Sequence, residues 1–198
     1  MLDFFGKSPE KEDLKSRTPA GQYLTTKFPV LTYGPTPRID TENWQLRVFG
    51  EVKEEVKFNY QEFMSLPQVK FESDFHCVTT WSQLDNTWEG ISTKEFMKKV
   101  KLKPEAKFVL LHCYGGYTTN LTLEAFDDED TLFAHTHDGE PLSAEHGWPL
   151  RFVIPKKYAW KSAKWINGIE FLTEDKLGFW ERNGYNNNAD PWKEERFW

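Results

Sequence analysis

Cysteine is scarce in this chain: Cys77 and Cys113 are the only two in 198 residues. Two thiols cannot build a disulfide framework, and they fit a reducing compartment. Long apolar runs are missing too, since none approaches the roughly 20 residues that cross a bilayer. The first residues, MLDFFGKSPEKEDLKSRTP, carry neither an apolar signal core nor a twin arginine. The expectation is a cytoplasmic protein without a membrane partner. Positive charge is in deficit: the net charge is -6, which argues against a general nucleic-acid binder. No P-loop, G-x-G-x-x-G or G-x-S-x-G is present, which removes the usual NTPase, dinucleotide and serine-hydrolase readings. His135 and His137 would face the same way on a strand, but no C-x-x-C or H-E-x-x-H accompanies them, so a zinc site is not expected.

What the chain has in quantity is aromatic residues, 16% of the total with nine tryptophans. They support a large core. Residues 1–20 are charged and read as a flexible arm, and residues 21–198 as one domain. WQLRVFGEV, QVKFESDFHCV, KFVLLHC, TLFAHTH and PLRFVIP read as strands. NYQEFMSLP reads as a short helix stopped by Pro67, and STKEFMKKVKL as a helix opened by a capping box of Ser92 and Glu95. LTLEAF suits a helical turn, and Gly115-Gly116 a tight one. Strands and short helices mix without a βαβ rhythm, so the expected class is α+β with mixed sheets.

Acidic residues are absent over one long stretch. From His146 to Ile169 there is no Asp or Glu, yet Arg151, Lys156, Lys157, Lys161 and Lys164 fall inside it. In AWKSAKW a helical turn would bring Lys161 and Lys164 to one side, around the Ser162 hydroxyl. That is the chemistry of a phosphate seat. A solvated basic face is the alternative. Cys77, in DFHCVTTWSQLDNTWEGI, stands where an alternating strand ends, with His76 before it and Trp81 and Trp88 after it. Structural cysteines favour bland apolar cores, which suits Cys113 at the end of KFVLLHC better than Cys77. A Cys77–His76 nucleophile pair is disfavoured, because neighbours on a strand point to opposite faces.

FHCVTTWSQLDNTWEGI, GGYTTNLTL, DGEPLSAEHGWPLRFVIPKKYAWKSAKWINGIEF and GFWERNGYNNNADPW, taken in this order, resemble the sulfite oxidase superfamily. The likeness is to the molybdopterin-binding oxidoreductase domain of its small, haem-free bacterial branch. It covers roughly residues 20–198. The resemblance implies a molybdenum–molybdopterin cofactor with Cys77 as the metal's protein ligand, a role that suits a soft thiolate. It implies cofactor contacts from Arg151, from Ser162, Ala163 and Lys164 with Lys161 beside them, from His146, and from Thr32 and Tyr33. It implies an active-site tyrosine at Tyr117. It also implies a small-molecule substrate and an electron donor or acceptor that the sequence does not identify.

One position departs from the pattern. Relatives often carry arginine before the ligating cysteine, and this chain has His76. Arginine offers a fixed cation and histidine only a conditional one. A catalytic His76 facing a bound anion would have its pKa raised above about 6.5. The replacement argues against sulfite as the substrate. The reading is thus a two-electron, oxo-transfer oxidoreductase. The competing class is a metal-free protein whose tryptophans and basic stretch hold an anion or a sugar.

Overall fold

In the computed structural model, the described backbone runs from residue 9 to residue 198, and the described side chains begin at residue 13. Helix α1 (Pro9–Ser16) precedes the short strand β1 (Tyr23–Leu24). Then follow β2 (Gln45–Gly50), β3 (Val56–Asn59), α2 (Tyr60–Met64), β4 (Val69–His76), β5 (Trp81–Ser92) and α3 (Thr93–Met97). The second half runs β6 (Phe108–Cys113), β7 (Thr118–Thr122), α4 (Leu123–Phe126), β8 (Leu132–His137), β9 (Glu140–Pro141), β10 (Arg151–Val153), β11 (Ile166–Leu172) and α5 (Phe179–Arg182). Mixed sheets with a few short helices make the class α+β, as the pattern predicts.

Two sheets organise the chain. One follows the order β3-β2-β11-β6-β7, with β11 parallel to β2 and otherwise antiparallel pairs. The other is built on the long strand β5, which pairs with β4 and β8 and, in parallel, with β1; β10 and β9 pair with β8. An aromatic core that includes Trp44, Phe63, Phe96, Phe133, Phe152 and Phe171 is fully or almost fully buried. Phe126 stacks on Phe152 at 5.5 Å and meets Phe171 edge-on, geometries that add to area burial. A second cluster, Phe75, Trp81, Trp88, Ala134 and Val153, lies beneath the site described below.

Local chemistry moved some boundaries. The arm expected over residues 1–20 lies partly outside the described residues. Of the remainder, Pro9–Ser16 is helical and Arg17 is tied to Asp74 at 2.6 Å. At α3, Ser92 accepts the Glu95 N–H, but the Glu95 carboxylate turns to Lys98, so only half of the expected box forms. The complete box belongs to α2, where Asn59 and Glu62 cap each other's backbone. The AWKSAKW helical turn is a 3-10 turn confined to Ala159–Lys161. The chain leaves it at Ser162 and bridges Lys164 to Arg151 of β10.

Candidate functional site

β4 delivers Cys77 one residue past its end, and β5 begins at Trp81, so residues 77–80 form the hairpin loop between them. The loop lines a cleft of about 280 Å³. The opposite wall comes from β10 and from residues 159–165, and part of the rim from residues 28–33. The sites expected at Cys77, Tyr117, His146, Arg151, Ser162, Ala163, Lys164, Thr32 and Tyr33 all line this one cleft. Residues separated by more than a hundred positions therefore converge.

The Cys77 sulfur accepts a hydrogen bond from the Thr79 hydroxyl at 3.2 Å, and its side chain is almost wholly buried. Burial pushes its pKa up, and the Thr79 contacts only partly offset this. The thiol is thus held for a partner that deprotonates it, which is what a soft metal does. Across the cleft, Arg151 is 5% exposed and forms no ion pair among the described residues. One Nη donates to the His146 carbonyl at 3.2 Å, its Nε has no partner, and its plane lies over the rings of Phe28 and Phe75. Burial lowers its pKa to about 10. Lys164 donates to the carbonyls of Leu31 and Glu145 and also lacks a carboxylate partner among the described residues. Burial first and Arg151 second pull its amine down to about 8. Two desolvated cations side by side without a counter-ion are costly, and an anionic ligand removes that cost. Soft sulfur on one wall and unpaired cations on the other fit a metal-bearing, phosphorylated pterin. Cys77 would hold the metal, while Arg151 and Lys164 would hold the anionic end.

Other residues serve the cleft less directly. His146 donates from Nε2 to the Phe28 carbonyl at 3.0 Å, accepts the Ser143 hydroxyl at Nδ1, and stacks on the Phe28 ring at 4.3 Å. Burial keeps it neutral by lowering its pKa. The Ser162 hydroxyl accepts the Ile154 N–H at 3.0 Å, so its own proton is what remains to donate into the cleft. Tyr117 presents its ring, but its hydroxyl already donates to the Trp160 carbonyl at 2.6 Å. Thr32 donates to the Gly34 carbonyl, and Tyr33 packs on Phe179 at 4.0 Å.

Two expected site residues lie elsewhere. Lys161 does not face the cleft. Its amine is fully buried 2.7 Å from Glu181, with the Asn120 carbonyl 2.8 Å away. The cause is the end of the 3-10 turn at Ser162, which rotates residue 161 away from residue 164. His76 also turns out of the cleft, as strand alternation requires once Cys77 faces in. Its Nδ1 meets the Ser82 hydroxyl at 2.8 Å, and Trp192 lies edge-on at 6.0 Å. Burial drops its pKa to about 4, against a small opposing pull from Asp74. The ring faces Ser82 and Trp192 rather than the cleft, and the rise expected beside a bound anion belongs to the loaded site. His135 and His137 bond to Gln68 and Asn86.

Trp160 and Trp165, which flank the basic stretch and suggest a wall there, do line the cleft, while Phe28, Trp180, Tyr185 and Thr79 carried no signal that sequence reasoning used. Thr79 was open to reading, because a hydroxyl two residues after a turn cysteine is within reach of the sulfur.

Residues 33–180 match the family described as oxidoreductase molybdopterin binding domain. The chain is 45% identical over 195 residues to the uncharacterized oxidoreductase YuiH of Bacillus subtilis, covering 98% of both. It is 28% identical to the catalytic subunit MsrP, a protein-methionine-sulfoxide reductase of Campylobacter jejuni, over 77% of this chain and 58% of that protein. The fold superimposes on the sulfane dehydrogenase SoxCD of Paracoccus pantotrophus with a TM-score of 0.65 at 16% identity, over 93% of this chain and 57% of that one. The chain belongs to the molybdopterin-binding oxidoreductases of the sulfite oxidase superfamily, and its cofactor is molybdenum–molybdopterin.

Proposed function

We propose that the protein reduces an uncharged S-oxide to the thioether, drawing electrons from a partner protein or carrier. The observation that carries this reading is the character of the wall beside Cys77. Phe28, Trp81, Trp160 and Tyr185 present aromatic surface there, and His76 is turned away onto Ser82 and Trp192. The cations that do face the cleft, Arg151 and Lys164, are the seat for the cofactor's anionic end. Among the described residues no other lysine or arginine lines the cleft for sulfite or nitrate, whereas an apolar sulfoxide fits an aromatic pocket. The sulfoxide reductase MsrP among the relatives supports the same substrate class.

When bound, molybdenum–molybdopterin supplies two-electron oxygen-atom exchange. Cys77 anchors the metal, and Arg151 and Lys164 fix the cofactor's orientation through charge. The aromatic wall excludes water from the sulfur of the substrate. Sulfoxide plus two electrons and two protons gives thioether and water. The electron donor stays unnamed. A cytoplasmic location belongs to the same proposal, because two cysteines are too few for a disulfide framework. The alternative of a metal-free anion- or sugar-binding protein is set aside, because the family match is to molybdopterin binders.

The test is turnover by the molybdenum-loaded protein with a reduced viologen donor. Methionine sulfoxide and dimethyl sulfoxide should exceed nitrate in kcat/KM by about 100-fold, the discrimination available when a charged competitor finds no partner. Sulfite oxidation with ferricyanide as the faster reaction would overturn the reading.

A further inference from the structure

The loop that carries Cys77 closes on itself only in part. The Cys77 N–H donates to the Trp81 carbonyl at 2.9 Å and the Thr80 N–H to the Cys77 carbonyl at 3.0 Å. Thr80 sits in the left-handed region at φ 73. The Val78 carbonyl is met by a residue from far along the chain. Arg196 donates to it from Nη1 at 2.7 Å. The same guanidinium donates from Nη2 to Gln22 Oε1 at 3.1 Å, and Gln22 Nε2 donates to the carbonyls of Cys77 at 3.1 Å and Trp81 at 3.0 Å. Arg196 lies over the Tyr158 ring at 5.0 Å, and its side chain is 15% exposed. Residues 22 and 196 thus meet across the backbone of the metal-ligand loop.

The segment around Arg196 has other anchors. The Asn186 N–H donates to the Arg196 carbonyl, the Trp198 N–H to the Gly184 carbonyl, and Asn188 to the Glu195 carboxylate. These leave the guanidinium's bonds to Val78 and Gln22 over and above what holds the segment in place. The Val78 carbonyl, Gln22 Oε1 and, at 3.4 Å, the Ala20 carbonyl suit the planar fork of arginine, and a lysine amine does not reach Val78 and Gln22 together as comfortably.

We propose that Arg196, acting through Gln22, is a positioning residue for the metal ligand: it holds the Cys77–Thr80 loop in the shape that turns the Cys77 sulfur and the Thr79 hydroxyl into the cleft. The inference rests on Cys77 being the ligand and not on which substrate is turned over.

The experiment begins with cofactor-free protein. In Arg196→Ala and, separately, in Gln22→Ala, amide hydrogen exchange across residues 77–81 should rise by roughly tenfold, while β6 keeps its wild-type protection. Arg196→Lys should recover part of the protection. In loaded Arg196→Ala protein the sulfur-to-molybdenum absorption should shift, and kcat should fall while KM stays within about twofold. Unchanged exchange over residues 77–81 in both alanine variants overturns the proposal. Exchange that rises equally in β6 also overturns it, because the arginine is then only a strap for the whole fold. Loop loosening as expected, in an enzyme that ignores sulfoxides, supports the proposal and refutes the substrate reading alone.

Discussion

Cys77 and Cys113 carry the same atom in different company. Cys77 has a hydroxyl donor at 3.2 Å and faces the cleft. Cys113 belongs to the main core, where burial pushes its thiol far up, and it is not among the residues that line the cleft. Cys77→Ser should abolish molybdenum retention by the purified protein and all turnover. Cys113→Ser should keep near-wild-type metal per protein and lose only about 1–3 kcal/mol of stability, from a hydroxyl placed among apolar side chains. Elemental analysis beside chemical denaturation separates the two, and a metal-loaded, active Cys77→Ser enzyme contradicts the assignment. The ligand role of Cys77 came with the family resemblance; its aromatic neighbours alone left it open, and Phe75, Trp81 and Trp88 pack with it in one buried cluster. That His76 points away from the cleft was legible once Cys77 is turned inward, because neighbouring side chains on a strand part. Its doubly buried position comes from Ser82 on the partner strand and from Trp192, contacts that no local pattern announces.

The segment 159–164 shows what spacing can and cannot tell at the scale of an element. Lysines three apart share a side only while a helix lasts, and this turn stops at Lys161. Lys164 therefore reaches the cleft, and Lys161 goes into the protein to meet Glu181 of α5. The Glu181 carboxylate also accepts the Trp160 indole N–H at 2.9 Å and the Thr119 hydroxyl at 3.1 Å. The strands β2 and β4, read from alternation, and β6, β8 and β10, read from apolar composition, were legible because local apolar residues mark them. β11 and the full length of β5 were not, because INGIEFL and WSQLDNTWEGIS interleave polar residues and glycines whose places are fixed by their sheet partners. The buried pair makes a prediction. Lys161→Met leaves an uncompensated carboxylate and should cost about 3–5 kcal/mol, while Lys161→Met combined with Glu181→Leu should cost clearly less than the two single changes together. Urea unfolding of the three variants measures this. Cofactor content of the folded double variant should stay near wild type, whereas a pterin-poor double variant would return Lys161 to the cofactor site.

Over the whole molecule, the acid-free stretch sets two cations against folding until an anion arrives. Replacing either should therefore leave folded protein that is poor in cofactor: Arg151→Glu or Lys164→Glu removes charge-assisted hydrogen bonds worth about 1.5–3 kcal/mol each. Pterin fluorescence after oxidation reads the loss, and full loading in both variants would assign the stretch to something else. The same arrangement gives cofactor-free protein an unusual pH dependence. The Lys164 pKa falls from an ordinary 10.5 to about 8 in the folded chain, chiefly through burial. Between those values the unfolded chain binds the extra proton, so stability rises with pH across that interval. The gain is discounted because the amine is only partly buried and water screens it. A bound phosphate reverses the preference by holding Lys164 charged, so the loaded protein should lack the rise and should release cofactor more readily as the pH climbs past about 8. Melting temperatures from pH 8 to 10.5 for cofactor-free wild type and Lys164→Met give the comparison. Wild type should gain on the variant as pH rises, and parallel curves would mean that Lys164 titrates as an ordinary surface lysine and that Arg151 alone makes the anion seat.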